Sequence, residues 1–210
     1  YMGKYFKVPD DFSEFVYMSQ YLQAEAVKIG IEAHRRAKPY CMGTLYWQIN
    51  DCWPVASWSS IDYYGRWKAL QYYARDAYAE VLVSPYATGD QVKFKVISDR
   101  LQKMKGDLEI TTMTLDGQTV FSKKISFDLD ANGCKDVASI ASSELYGGKQ
   151  ENEVFTNMIL NEKGKTISTN IYYPVYSNKY AYPKVTPDIT VERTDEGVNL
   201  RLRSSALIRG

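Results

Sequence analysis

Apolar and small residues recur at three- and four-residue spacing over residues 11–36: Phe12, Phe15, Val16, Ser19, Leu22, Ala26, Ile29 and Ala33. That spacing predicts a long amphipathic helix. Asp11, three residues before Glu14, predicts an N-cap box, Pro9 suits a chain entering a helix, and Lys38-Pro39 ends it. Residues 40–49 read differently. Cys41, Met42, Leu45, Tyr46, Trp47 and Ile49 make a short, almost continuously apolar run, the length and composition of a strand buried on both faces, as in a parallel barrel. Asn50-Asp51-Cys52-Trp53-Pro54 then breaks the pattern, and an extended loop passes Trp58, Ser59 and Ser60 and continues from Asp62 to Gly65. A second helix is predicted over residues 67–79, with Trp67, Leu70, Tyr73, Ala74, Ala77 and Tyr78 on one side.

Past Val81 the helical period vanishes. Val92, Phe94 and Val96 alternate with polar residues, as do Leu108 and Ile110, and Asp116-Gly117 between two such runs is a strong hairpin signal. Val154, Thr156, Met158 and Leu160 alternate again, residues 161–165 turn, and residues 167–173 return. Strands at this spacing predict an antiparallel, immunoglobulin-like sandwich over residues 82–181. Near Pro183 a third segment begins, with Ile189 and Val191, a turn over residues 194–197, then Val198, Leu200 and Leu202. It reads as three strands that cannot close a sandwich by themselves, hence the beginning of a further β domain over residues 182–210.

Composition narrows the partners. Twenty-six Lys and Arg balance 25 Asp and Glu, a net charge of +1, and no basic run interleaves with aromatics, so no nucleic-acid partner is expected. No apolar run approaches the roughly 20 residues of a membrane-spanning helix, and the charged, aromatic start lacks a signal-peptide pattern. A length of 210 residues falls short of the roughly 250 of a complete (β/α)₈ barrel, so barrel elements here imply a fragment, truncated at both ends. Cys41, Cys52 and Cys134 are odd in number without Cys-x-x-Cys spacing and read as buried small hydrophobes. His34 is the sole histidine, in a basic run with Arg35, Arg36 and Lys38 that suits a helix C-terminus. No metal site and no cofactor are expected. The 18 tyrosines suit either polar-ring ligands or half-buried surfaces.

Candidate chemistry concentrates in residues 43–65, which hold three of the four tryptophans. Side chains at the end of a barrel strand point into the active-site mouth. Indole faces stack on a sugar ring, while Asn and Asp hydrogen-bond hydroxyls, which makes Trp47, Asn50, Asp51 and Trp53 the candidate substrate-binding residues. Trp53 and Trp58 could equally plug the barrel end against the next helix.

Here the chain resembles a known family. Ser19-Gln20, Gln23-Ala24-Glu25, the run Gly43-Thr44-Leu45-Tyr46-Trp47-Gln48-Ile49-Asn50-Asp51-Cys52-Trp53-Pro54, Ser57-Trp58 and Lys68-Ala69-Leu70 are similar to the end of the barrel in β-mannosidases of glycoside hydrolase family 2. The resemblance implies an α+β multidomain fragment. Residues 1–81 would hold the last elements of a (β/α)₈ TIM barrel, helix seven, strand eight and helix eight, followed by the immunoglobulin-like sandwich and the start of a second β domain. It further implies Trp47 beneath a terminal mannose and a cis peptide bond after Trp47. The implied reaction is exo-acting hydrolysis of terminal β-D-mannose from an oligosaccharide by a retaining, double-displacement route. Such enzymes use two carboxylates about 5–5.5 Å apart. The resemblance puts both on earlier barrel strands, so no catalytic residue is expected in this chain. Ser13-Glu14-Phe15 shares three letters with the nucleophile motif, but Val16 replaces its glycine and Glu14 falls at the third position of a helix. Asn152-Glu153 and Asn161-Glu162 mimic the acid/base pair from within the sandwich. The chain would then be inactive alone, and its unpartnered barrel flank would favour self-association. A non-catalytic carbohydrate-binding or scaffolding module, or another family 2 exo-glycosidase, is the alternative. The parent's compartment, whether periplasmic, secreted or lysosome-like, is left open.

Overall fold

The computed structural model describes residues 1–195 and 197–209. Helix α1 spans Phe12–Arg36, and Asp11 caps it as its spacing to Glu14 predicts. The Asp11 carboxylate accepts the Glu14 N–H at 3.0 Å, which places Glu14 at the third helical position. The buried face differs from the expected stripe. Tyr21, Ala24, Ile31 and Glu32 are buried, whereas Phe12, Phe15, Val16 and Ile29 are exposed. The reason is which partner is present: Ala24, a small residue, packs on Leu70 and Ala74 of α2 (Ala69–Ala77), with Val27, Tyr46 and Tyr73 around them. Of the larger stripe, Leu22 packs against Met2, Phe6 and Tyr21, while Phe12, Phe15, Val16 and Ile29 stay open. Helix α2 is shorter than its apolar pattern predicts, and Trp67 lies just ahead of it, edge-on to Tyr72 at 5.1 Å.

Residues 40–49 do not form the doubly buried strand that their composition predicts. Tyr40 and Leu45 are exposed, and among the described residues the one β-bridge beside this run is a parallel bridge between Asn50 and Ile61. A parallel strand buried on both faces needs a neighbour on each side along its length, and among the described residues only residues 60–61 pair with this run, at its C-terminal end. The cysteines are likewise less buried than their small apolar character suggests. All three are free, Cys52 is exposed, and Cys41 and Cys134 are half-buried.

The sandwich forms as the alternation predicts. β1 (Val81–Thr88), β2 (Gln91–Ser98) and β5 (Cys134–Ala141) make one antiparallel sheet, in the order β1-β2-β5. β3 (Met104–Thr114), β4 (Thr119–Leu129), β6 (Val154–Glu162) and β7 (Lys165–Tyr172) make the other, in the order β4-β3-β6-β7. Inward residues of both meet in one core: Val83, Val92, Phe94, Val96 and Ile140 from the first, Leu108, Ile110, Phe127, Met158 and Leu160 from the second. Alternate positions face inward because successive strand side chains point to opposite faces. The pattern continues even where the inward residue is polar, and the buried Thr112 and Thr156 hydroxyls satisfy each other at 2.9 Å. Both expected hairpins are present. Gly117 has φ +85° between β3 and β4, and Lys163 and Gly164 have positive φ between β6 and β7. A short helix, α3 (Ser142–Leu145), places Leu145 against the core.

Past the sandwich the described residues form two strands rather than three, β8 (Asp188–Thr194) and β9 (Gly197–Arg203), paired as one exposed hairpin. Ile189 faces Leu202, and Val191 faces Leu200, so its apolar residues share a side.

The helices are joined to the sandwich by buried polar groups. Glu32 accepts the Ser84 hydroxyl at 2.5 Å and the Asn170 amide at 3.0 Å, and lies 3.7 Å from both Lys28 and Arg36. Lys28 donates to Asn170 Oδ1 and Arg36 to Ser84 Oγ. Beyond them Arg35 donates to the carbonyls of Ala77 and Ala79 and to Asp99, and Lys38 to Ser98 O and Asp99. The basic run that suits a helix dipole is therefore also the attachment to β1 and β2. Many tyrosines serve the same junction: Tyr21 meets Tyr73 and Phe6 edge-on, Tyr5 meets Tyr176, and the Arg209 guanidinium lies 3.6 Å over the Tyr173 ring.

Candidate functional site

The loop after residue 46 is organised by short polar side chains. Ser60 N–H donates to the carbonyls of Gln48 and Ile49, Ile61 N–H to Ile49 O, and Asp51 N–H to Ile61 O. The buried Ser60 hydroxyl meets Tyr46 OH at 2.9 Å and Gln71 Oε1 at 2.7 Å, which ties the loop to the start of α2. Gln23 of α1 donates to Trp58 O at 2.8 Å. At the far turn Asp62 accepts the N–H groups of Tyr64 and Arg66, and Gly65 takes φ +81°. The Trp47–Gln48 peptide bond is cis, and so is Lys38–Pro39.

These contacts shape a cavity of about 400 Å³ lined by Trp47, Gln48, Asp51, Cys52, Trp53 and residues 55–58, a size within the range of small-ligand sites. Trp47, Asp51 and Trp53 thus converge, as their candidacy requires. Asn50 does not line it; its amide donates to the carbonyl of Asp51 at 3.3 Å. The indole rings are open, with Trp47 73 %, Trp53 64 % and Trp58 71 % exposed. In this chain neither Trp53 nor Trp58 acts as a packed plug.

Asp51 is the buried floor. Its side chain is 2 % exposed, Oδ1 accepts Ser57 Oγ, Oδ2 accepts Ser59 Oγ at 2.8 Å, and Lys68 Nζ stands 3.4 Å from Oδ2. The Ser57 hydroxyl, opposed by burial and helped by Ser59 and the Lys68 ammonium, holds the Asp51 carboxyl below the usual carboxylate range. Ser57, Ser59 and Lys68 were not singled out as site residues by sequence reasoning. A Ser-x-Ser pair followed nine residues later by Lys is a weak signal, since the lysine comes from the start of another helix. The glutamates that mimic catalytic motifs lie elsewhere: Glu14 in the α1 cap, Glu153 in a short turn before β6, and Glu162 paired with Arg100 at 2.7 Å. Among the described residues no group of three or more His, Cys, Asp or Glu side chains is placed to hold a metal ion.

Residues 90–177 match a family model described as a mannosidase Ig/CBM-like domain. The chain is 34 % identical over 146 residues to β-mannosidase A of Aspergillus clavatus, an alignment covering 64 % of this chain and 16 % of that protein. With β-mannosidase A of Aspergillus flavus it shares 36 % over 126 residues, 54 % of this chain and 14 % of the relative. Among solved structures, a β-D-mannosidase from Dictyoglomus thermophilum superimposes with a TM-score of 0.87 at 27 % identity, covering 98 % of this chain and 25 % of that one. An exo-chitosanase from Amycolatopsis orientalis shares the fold at a TM-score of 0.72 and 17 % identity, with 98 % and 28 % covered. The chain therefore spans well under a third of the relatives it matches. The chain thus resembles a segment of the β-mannosidases, and 98 % of it, with the sandwich, the helical segment and the tryptophan loop, superimposes on the Dictyoglomus thermophilum enzyme.

Proposed function

We propose that this chain is the C-terminal part of an exo-acting, retaining β-mannosidase of glycoside hydrolase family 2, which hydrolyses terminal β-D-mannose residues of oligosaccharides. The observation that carries the reading is the cavity in which Trp47, Trp53 and Trp58 surround a buried, charged Asp51. Open indole faces beside a fixed acceptor suit a neutral polyhydroxylated ring: the faces bind its C–H side and the polar groups orient its hydroxyls. In this reading residues 1–81 are the last elements of a TIM barrel, residues 82–181 an immunoglobulin-like sandwich and residues 182–210 the start of a further β-sandwich. Trp47, Asp51 and Trp53 contact substrate in the cavity, Asn50 contacts it from outside the cavity lining, and the two catalytic carboxylates come from elements outside these 210 residues.

The pure 210-residue chain should therefore not turn over an aryl β-mannoside above background, because it lacks the nucleophile needed for a covalent route. It should be assayed beside the longer reading frame that contains it. Turnover by the chain alone that disappears in Glu14→Gln would defeat both the inactivity and the placement of Glu14 as a first-turn helical residue behind the Asp11 cap. An inactive longer polypeptide that still binds mannosides would instead favour a non-catalytic binding module, a reading to which the CBM-like character of residues 90–177 lends support.

Self-association belongs to the same proposal. Phe12 is 78 % and Ile29 60 % exposed, on the stripe that also carries Phe15 and Val16. Exposed apolar patches of a few hundred Å² tend to find partners. Light scattering over rising concentration should show mass beyond the monomer; a clean monomer throughout would remove the claim.

A further inference from the structure

Lys68 occupies the N-cap position of α2 with an extended backbone, but its side chain makes no cap hydrogen bond to that helix. The ammonium turns back into the tryptophan loop, donating to Ser59 Oγ at 2.7 Å and approaching Asp51 Oδ2 at 3.4 Å. Its side chain is 15 % exposed, and Ser59 is fully buried. Proton counting shows what a donor does there, and the Asp51 carboxylate is what favours a charged one. Each serine hydroxyl has one proton, and those of Ser57 and Ser59 both point to the Asp51 carboxylate. With the Ser57 proton on the nearer Asp51 oxygen rather than on Ser59 Oγ, 3.1 Å away, the Ser59 oxygen is left as an acceptor in a buried place, and a lysine brings three donors and no acceptor. Asp51 opens the segment 51–59 and Ser57 and Ser59 close it. Between them lie Trp53 and Trp58, outside any helix or strand and with open rings, so their placement depends on how the ends of the segment are held.

We propose that Lys68 is a positioning residue: by bridging Ser59 and Asp51 it clamps the two ends of the 51–59 segment and holds Trp53 and Trp58 around the cavity opposite Trp47. Its effect on sugar binding rests on reading that cavity as the carbohydrate site; the clamp itself does not.

The full 210-residue chain has four tryptophans, so its indole N–H groups give four resolvable NMR signals. In Lys68→Met the Trp53 and Trp58 signals should shift and broaden while amide signals of the sandwich core, such as Val92 and Leu108, stay in place. Lys68→Arg, which keeps a cation with several donors, should bring both indole signals back towards their original positions. Indole signals in Lys68→Met that coincide with the parent's would overturn the clamp. So would movement in Lys68→Arg equal to that in Lys68→Met, because the cation would then not be the cause. If Lys68→Met loses the core signals too, the double variant Ser57→Ala/Ser59→Ala reads the same segment, and unmoved indoles there reject the proposal. Titration with methyl β-D-mannopyranoside separates the two readings. Binding by the parent that weakens about tenfold in Lys68→Met, a difference of roughly 1.4 kcal/mol, supports both. Moved indoles with no binding by the parent leave the clamp standing and remove the carbohydrate reading.

Discussion

Glu32→Ala is expected to destabilise the chain by about 3–5 kcal/mol, the usual loss when one partner of a buried charge network is removed. Glu32 is 5 % exposed and receives the Ser84 hydroxyl from β1 and the Asn170 amide from β7, with Lys28 and Arg36 on either side. Removing its carboxylate leaves two cations without their shared anion and two buried donors short of an acceptor. Each unpaired group then carries a desolvation cost that water satisfied in the unfolded chain. Glu32→Gln keeps the shape and one of the two acceptor oxygens, turns the other into an NH2 donor and loses the charge, so it should cost less than Glu32→Ala. The location makes the failure specific. Ser84 and Asn170 belong to the sandwich and Glu32 to α1, so Glu32→Ala should free the helices before the sandwich unfolds. Thermal melts should fall by on the order of ten degrees, and limited proteolysis should cut between residues 77 and 81 while the sandwich core persists. A melt lowered by only a degree or two would show that the network is incidental to the junction.

That junction marks where sequence reasoning stops. The cap of α1 is legible because Asp11 and Glu14 act within one turn, and the strands are legible because a two-residue period needs no knowledge of what lies opposite. The partner of each face is not local information. Phe12, Phe15, Val16 and Ile29 declare an apolar stripe, yet the face that is buried carries Ala24 and Glu32, because α2, β1 and β7 meet the helix there. Glu32, on a solvent-like reading, is one more helical glutamate; only the sandwich reveals it as the centre of a network. Residues 40–49 fail for the complementary reason. Their composition suits a strand with neighbours on both sides, and a strand is defined by those neighbours rather than by its own side chains. At the candidate site, the convergence of Trp47, Asp51 and Trp53 was legible from a dense aromatic and polar run. The Ser59–Lys68 contact was not, because it joins a loop to the start of a separate helix.

Trp47→Ala should separate ligand binding from folding. Its ring is 73 % exposed, so the fold gains little from its burial and the melt should move by no more than a degree or two. Placed under a sugar, the same ring would carry much of the contact energy. Stacking can contribute a few kcal/mol to a ring distorting towards an oxocarbenium-like state, and each 1.4 kcal/mol is about tenfold in rate. In the longer polypeptide Trp47→Ala is therefore expected to lower kcat/KM for an aryl β-mannoside by about a hundredfold or more. Trp58→Ala should have a smaller kinetic effect. Its carbonyl, which accepts the Gln23 amide, survives the substitution, and its ring stands at the cavity wall rather than on the strand-like run that enters it. Measuring both variants by kinetics and by thermal melts separates the contributions. Near-normal kcat/KM in Trp47→Ala together with a large drop in the melt would make Trp47 a core residue of the longer fold and remove it from the site.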